Sequence, residues 1–408
     1  MRLSRRQFLA DSTAALGSAA LAWDWGCSQD NVTDSFDPLP NPATSGIDHV
    51  IVVTMENRSF DHFLGWLPGA DGRQAGVSFV DGSGVAHQTF ALAPDFQGCA
   101  HRDPANSYEY GRIEYNGGAC DGWLRANDMF SIGYYGKDDL PFLGAAALDW
   151  TTFDRYFCSI MAPTGPNRIY QCAGQTDRLA NTGAPTTLPT IYDRLADRGI
   201  ETRYFYSNVR GLYAWGDKYA AISSPIDGFY ASCAAGTLPA VMFVDPPFGG
   251  SARGPTVAQD DHPFADVRAG DVFLSRVYNA VTQGPQWPRT ALVITFDEWG
   301  GFFDHVAPPV APIPDADRVA GNADGLLGFR IPTILISPFA RRKFVAHTTY
   351  DHTSVLRLIE WRWDLEPLTV RDATANNLAL DMDFATPNLQ VPAYDVPVVA
   401  GLDCPLQA

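Results

Sequence analysis

The sequence has no surplus of positive charge: 29 Lys and Arg stand against 46 Asp and Glu, a net charge of −17. A nucleic-acid partner requires a basic surface to neutralise phosphates, so that class is excluded. No apolar run approaches the ~20 residues a membrane-spanning helix needs. Among the seven cysteines there is no Cys-x-x-Cys pair, which argues against a zinc ribbon. No internal repeat or low-complexity tract is visible. Charged residues are only 18% of the chain, whereas apolar residues reach 46%, near the globular average and incompatible with wholesale disorder. The acidic balance leaves anionic substrates open, because a bound cation reverses the local field.

What the chain does have is 36 Gly, 30 Pro and an abundance of aromatics (24 Phe, 16 Tyr, 10 Trp), the composition of long ordered loops between packed elements. At 408 residues it is long enough for two or three domains, or for one large α/β domain with insertions. Ser4-Arg5-Arg6-Gln7-Phe8-Leu9, followed by an Ala-rich stretch ending in Ala20-Leu21-Ala22, reads as a twin-arginine export signal over residues 1–22. Periplasmic or secreted localisation is therefore expected. Residues 23–46 read as a linker. Setting Cys27 aside as a faint lipid-attachment signal, six cysteines remain. In an oxidising compartment these suggest up to three disulfides, with Cys99–Cys120 and Cys158–Cys172 as the sequence-local pairs; buried free thiols are the alternative.

His49-Val50-Ile51-Val52-Val53-Thr54-Met55 is a continuous apolar, β-branched run, as expected of a strand buried on both faces. Similar runs recur at Thr202–Tyr206, Ala240–Val244, Ala291–Phe296 and Ile331–Ile336. Helical patterns lie between and after them, at Leu188–Ala196, Phe264–Thr282 and His352–Trp363. The alternation predicts a three-layer α/β/α sandwich with a mostly parallel sheet over residues 47–408. Residues 65–150 read as a loop-rich insertion over the active-site face, with Trp123 and Tyr134-Tyr135 as a lipid-facing wall or as packed core.

In such sheets functional groups gather beyond the carboxyl ends of the strands. The first strand runs into Glu56-Asn57 and the Ala291–Phe296 strand into Asp297-Glu298. These are hard oxygen donors suited to a divalent cation, although carboxylates at such positions also cap helices or solvate loops. His262, His305 and His352 each follow an Asp able to orient the ring. His62 and His305 are equally readable as structural partners. Thr164, ahead of Gly165-Pro166, is either a helix cap or a hydroxyl nucleophile at a phosphate-binding helix N-terminus.

Five segments together resemble a bacterial phosphoesterase family that holds non-haemolytic-type phospholipases C and acid phosphatases of the respiratory-burst-inhibiting group. They are Ile47–His62 (with Glu56-Asn57-Arg58-Ser59-Phe60-Asp61-His62), Ala162–Arg168, Asp260–Pro263, Thr295–Val306 and Arg330–Pro338. The resemblance implies an alkaline-phosphatase-like fold and a metal-assisted phosphoester site. It assigns Glu56, Asn57, Asp297 and Glu298 as ligands of a divalent ion (Ca, Mg, Mn or Zn), and Thr164 as nucleophile. It gives His262 and Asn57 catalytic roles and places Asn106, His305 and His352 at the substrate. The chain departs from the family where Asp-Pro-x-His is usual, carrying Asp103-Pro104-Ala105-Asn106, with His101 as a possible substitute. The implied activity is phospholipase C-type cleavage of glycerophospholipids. The alternatives are phosphomonoester hydrolysis and a site-degenerate member that only binds phosphorylated ligands. A phospholipid or small phosphoester is the expected partner, with transient membrane-surface contact and no obligate protein partner.

Overall fold

A computed structural model describes residues 38–249, 257–399 and 404 of the chain. The twin-arginine segment, its cleavage site, Cys27 and most of the linker lie outside these residues.

The main sheet contains β1 (His49–Met55), β2 (Thr151–Phe153), β3 (Thr202–Tyr206), β4 (Ser223–Pro225), β5 (Val241–Val244), β6 (Thr290–Phe296), β7 (Ile334–Ile336) and β8 (Phe344–Ala346). Their spatial order is β8-β2-β7-β6-β1-β5-β3-β4. Pairing is parallel except on both sides of β7, which runs against β6 and β2. Every residue of β5 and β6, and all of β1 after His49, is buried. Because successive side chains face opposite ways, burial at every position means that both faces of the sheet are covered.

The covering helices are α1 (Phe60–Leu64), α2 (Tyr108–Tyr115), α3 (Pro141–Asp149), α4 (Thr164–Ala173), α5 (Ile191–Asp197), α6 (Ile226–Ala235), α7 (Val267–Gln283) and α8 (His352–Trp363). Helix α4 packs against α5 and α8, whereas α7 packs against α3 and α6. These two sets form the outer layers of an α/β/α sandwich, as the sequence pattern predicts. The Ile331–Ile336 run yields a strand only from Ile334, because Pro332 has no N–H to donate to a ladder.

Residues 65–150 form short helices, turns and small strand pairs rather than open loop. Trp123 and Tyr135 are fully buried there. The Trp123 indole N–H donates to the Cys120 carbonyl at 2.7 Å and the Tyr135 hydroxyl to the Asp95 carbonyl at 2.8 Å. These two rings are therefore packed core, and the lipid-facing wall reading is corrected for them. The cysteine pairing is corrected as well. Cys99 is joined to Cys404, across 305 residues of sequence, while Cys120, Cys158, Cys172 and Cys233 are buried free thiols. Nearness in sequence was a poor guide because sheet topology, not chain separation, sets which side chains meet. Among the described residues no helix is long and apolar enough to cross a membrane.

Candidate active site

The register of two neighbouring strands builds the site. β1 and β6 pair in parallel from His49 beside Thr290 to Met55 beside Phe296. The next residues, Glu56 and Asp297, therefore leave the sheet side by side. β5 on the other flank of β1 pairs Val244 with Val53, which brings Asp245 to the same edge. Asn57 turns sharply out of β1 with a left-handed backbone (φ 61°), and its N–H donates to Asp297 Oδ1 at 3.0 Å. Gly300 makes this turn possible: a Cβ there would lie 2.1 Å from the Asn57 carbonyl oxygen.

Thr164 is the first residue of α4, whose N-cap is Pro163, so its hydroxyl is not the helix cap. Instead Thr164 Oγ1 donates to Asn57 Oδ1 at 3.3 Å. Arg168 lies one turn further along α4 and so shares the face of Thr164. Its Nη1 is 2.9 Å from Asp245 Oδ1, its Nη2 3.3 Å from Glu56 Oε1 and its Nε 3.5 Å from Asp297 Oδ2. Asn106 donates to Glu298 Oε1 at 2.6 Å, and the Gly300 N–H donates to Glu298 Oε2 at 2.7 Å.

The electrostatics are strained toward neutralisation. Burial raises the Asp297 and Glu298 carboxyls; Arg168 opposes the shift at Asp297, Asp297 raises Glu298 further, and Glu56 raises both. Asp297 Oδ2 accepts no hydrogen bond although it is buried. The buried carboxylates of Glu56, Asp297 and Glu298 and the Asn57 amide are hard oxygen donors of the type a divalent cation takes, and Asp297 Oδ2, without a hydrogen bond, is the one most open to such an ion. Arg168 supplies part of the counter-charge.

His262 is also here. Its Nδ1 donates to the carbonyl of Pro263, and its Nε2 is 3.9 Å from Asp103 Oδ2. Burial disfavours charge on this ring, but Glu56, Asp103 and Asp260 outweigh burial and raise its pKa. Glu56, Thr164, Arg168, Asp245 and His262 all line one large cavity of 1210 Å³. His101 lines it too, with its ring stacked on Phe130 and its Nδ1 3.6 Å from Asp128.

Two histidines are not at the cavity. His305 Nδ1 contacts Asp61 at 2.5 Å and its Nε2 contacts Asp71 at 3.1 Å. Asp61, Asp304 and His305 bring donor atoms within 4.8 Å of one another, close enough to hold a metal by distance. Arg330 already fills that role, fully buried with Nη2 3.1 Å from Asp61 and Nε 2.9 Å from Asp304. The expected substrate contact of His305 is thus replaced by a buried ion network. His352 is buried at the start of α8, where Nε2 donates to the Phe296 carbonyl at 2.9 Å, and burial pushes its pKa down to about 4. It braces the end of β6 just before Asp297 rather than reaching a substrate. Conversely, sequence reasoning passed over Asp245 and Arg168. The strand-end rule that selects Glu56 and Asp297 would have selected Asp245, which directly follows β5.

Carboxylates and a hydroxyl facing one cavity beyond the strand ends of a mostly parallel sheet make this the candidate active site of an α/β enzyme. Residues 47–366 match the Phosphoesterase family, and the chain belongs to that family of phosphate-ester hydrolases. It is 31% identical to phospholipase C B of Mycobacterium tuberculosis, over 97% of this chain and 88% of that one. It is 28% identical to phospholipase C A of the same organism, over 98% and 89%. It is 31% identical to non-specific phospholipase C6 of Arabidopsis thaliana, over 89% and 76%. Among solved structures, an alkaline phosphatase superfamily protein from Vibrio parahaemolyticus aligns at TM-score 0.41 and 9% identity, covering 83% of this chain and 72% of that one.

Proposed function

We propose that the protein is an exported, cation-dependent phosphoesterase of the phospholipase C type, cleaving a phosphodiester through Thr164. The observation that carries this reading is the Thr164 hydroxyl, turned away from helix capping and toward Asn57, in a cavity that Glu56 and His262 also line. The phospholipase C relatives support it, and the twin-arginine segment supports export to the periplasm or medium.

A divalent cation held by Glu56, Asn57, Asp297 and Glu298 would supply charge stabilisation for phosphoryl transfer. The chain's own residues do the rest. Thr164 Oγ1 releases its proton to water in the cavity it lines and attacks phosphorus in line, forming a phosphothreonine as the bond to the lipid alcohol breaks; a proton from water returns to Oγ1 when the phosphothreonine is hydrolysed. The Asn57 amide steadies the charge that develops on the equatorial oxygens. His262, held toward its protonated form by the surrounding carboxylates, gives its proton to the departing alkoxide. It then takes a proton from the water that hydrolyses the phosphothreonine. The positive charge of Arg168 is pinned by Asp245, so the cluster stays compact while substrate enters.

The test is hydrolysis of p-nitrophenyl phosphorylcholine and p-nitrophenyl phosphate by the purified chain, chelated and then reconstituted with Ca, Mg, Mn or Zn. Diester turnover lost to chelator and restored by one cation is the expected result. Faster cleavage of the monoester would reassign the activity to a phosphatase. Asn106, in place of a histidine, favours one other reading, a phosphate-binding protein without turnover. Retention of inorganic phosphate with neither ester cleaved under any cation would establish it.

A further inference from the structure

The turn that carries Glu298 leans on residues 104–127 as well as on the sheet. Asn106 donates to Glu298 Oε1 at 2.6 Å from the segment Asp103-Pro104-Ala105-Asn106. That segment lies directly on the turn. A Cβ at Gly301, whose φ is +70°, would meet the Ala105 carbonyl oxygen at 2.6 Å and the Pro104 Cβ at 2.8 Å.

Two polar side chains from outside the five family-like segments join these pieces. Asn127, which ends the short helix Trp123–Ala126, accepts the Ala105 N–H on Oδ1 at 2.6 Å. Its Nδ2 donates to Glu114 Oε1 at 2.7 Å and to the Gly301 carbonyl at 3.4 Å. Glu114, on α2, is fully buried, and its Oε2 accepts the Trp299 indole N–H at 2.8 Å. Helix α2 comes this close because Gly111 has no side chain: a Cβ there would lie 2.7 Å from Met161 and 3.0 Å from the Trp299 ring. A chain of hydrogen bonds thus runs from Ala105, next to Asn106, through Asn127 and Glu114 to Trp299, next to Glu298.

Stability does not account for Glu114. Burial pushes its carboxyl up to about 8, and both oxygens accept from neutral N–H groups rather than from a cation. What such a buried, fully satisfied group supplies is a fixed geometry. The direction of the bonds matters too. Asn127 and Trp299 both donate, so the group between them must accept twice. A carboxyl does so whether ionised or not, whereas a side-chain amide cannot, because its nitrogen has no lone pair to offer.

We infer that Glu114 and Asn127 are positioning residues for the cation site: they hold the Asn106 segment in register with the Glu298 turn, so that Asn106 orients the Glu298 carboxylate as a ligand. The inference rests on the cation reading of Glu298 given above.

The test is calorimetric titration of the full native chain with Ca²⁺, Mg²⁺, Mn²⁺ and Zn²⁺, the tightest of which is then titrated into variants shown by urea melts to be folded. Glu114→Gln should weaken binding by about tenfold or more, the usual cost of losing an outer hydrogen-bond partner of a ligand. Asn127→Ala, at a half-buried position where water can enter, should do the same and carries the test if Glu114→Gln does not fold. Joining Glu114→Gln to Asn127→Asp sets a donor against an acceptor again at each link, and should return the Kd to within about threefold of native. In an Asn106→Ala background either single change should weaken binding by less than about twofold more, since the bond it positions is already gone. An unchanged Kd in both single variants, no recovery in the exchanged pair, or full additivity with Asn106→Ala overturns the inference and leaves the cation site standing. A native chain that binds none of the four cations removes the cation reading itself, and the inference with it.

Discussion

Replacing Arg168 by Met tests the electrostatic design of the site most directly. The guanidinium contacts Glu56, Asp245 and Asp297 at 3.3, 2.9 and 3.5 Å, and all three carboxylates are nearly inaccessible to water. Methionine keeps an unbranched apolar stem and deletes the guanidinium, with its charge and its contact to the Phe248 ring. The loss strands buried carboxylates that were compensated, and breaking such a pair costs about 3–5 kcal/mol. Part of that cost is relieved when Asp297 takes up a proton, since burial already raises its carboxyl. In chelator the variant should therefore unfold in urea with a stability lower by about 3 kcal/mol, the bottom of that range. A divalent cation at Glu56 and Asp297 replaces the missing charge. At about 100 times its Kd it returns about 2.7 kcal/mol by mass action, and it should return more to the variant than to the native chain because no guanidinium competes. The measurement is a pair of urea titrations for each protein, with chelator and with saturating Mn²⁺ or Ca²⁺. An identical deficit in both conditions would mean that Arg168 and the cation do not share these carboxylates, and the ligand assignment would fail.

Four further outcomes are expected. Thr164→Val keeps the side-chain volume and removes the hydroxyl, so turnover should fall by about 10⁴-fold or more with Tm unchanged; surviving activity in a steady-state assay would exclude Thr164 as nucleophile. Asp297→Asn should lower the bound divalent metal measured by elemental analysis after dialysis, and unchanged stoichiometry would remove Asp297 from the ligand set. Asn106→His retains an N–H for Glu298 and adds a proton donor, so kcat on the diester should rise several-fold; a fall would mean the pocket is built around the amide. Glu360, on α8 beside Asp372, is raised from 4.5 to about 9 by burial and then by that neighbour. The folded state thus keeps a proton the unfolded chain releases, and the stability present below pH 4.5 is lost as pH rises toward 9, by at most about 1.4 kcal/mol per unit. Glu360→Gln should flatten that slope in urea melts from about pH 5 to about pH 9, and parallel slopes would refute the assignment.

Much of the architecture was legible because it is governed by local pattern. Runs of β-branched residues such as Val50–Val53 can be buried at every position only inside a two-sided sheet, and those runs fall in β1, β5 and β6. Strand ends marked Glu56, Asn57, Asp297 and Glu298 as neighbours. Pro166, suited to a first helical turn, put Thr164 at a helix start.

What the sequence determined by itself was the set of chemical groups and the strand tips that carry them, since residue type and period-two burial are properties of short segments. Tertiary structure alone decided how those groups are partnered. The in-step pairing of β1 with β6 sets Glu56 against Asp297, and the arrival of β5 on the other flank hands Arg168 to Asp245. The same three-dimensional packing took His305 into the Arg330 network, set His352 under β6 and joined Cys99 to Cys404. Contacts between residues hundreds of positions apart depend on sheet order and layer packing, which no window of sequence contains.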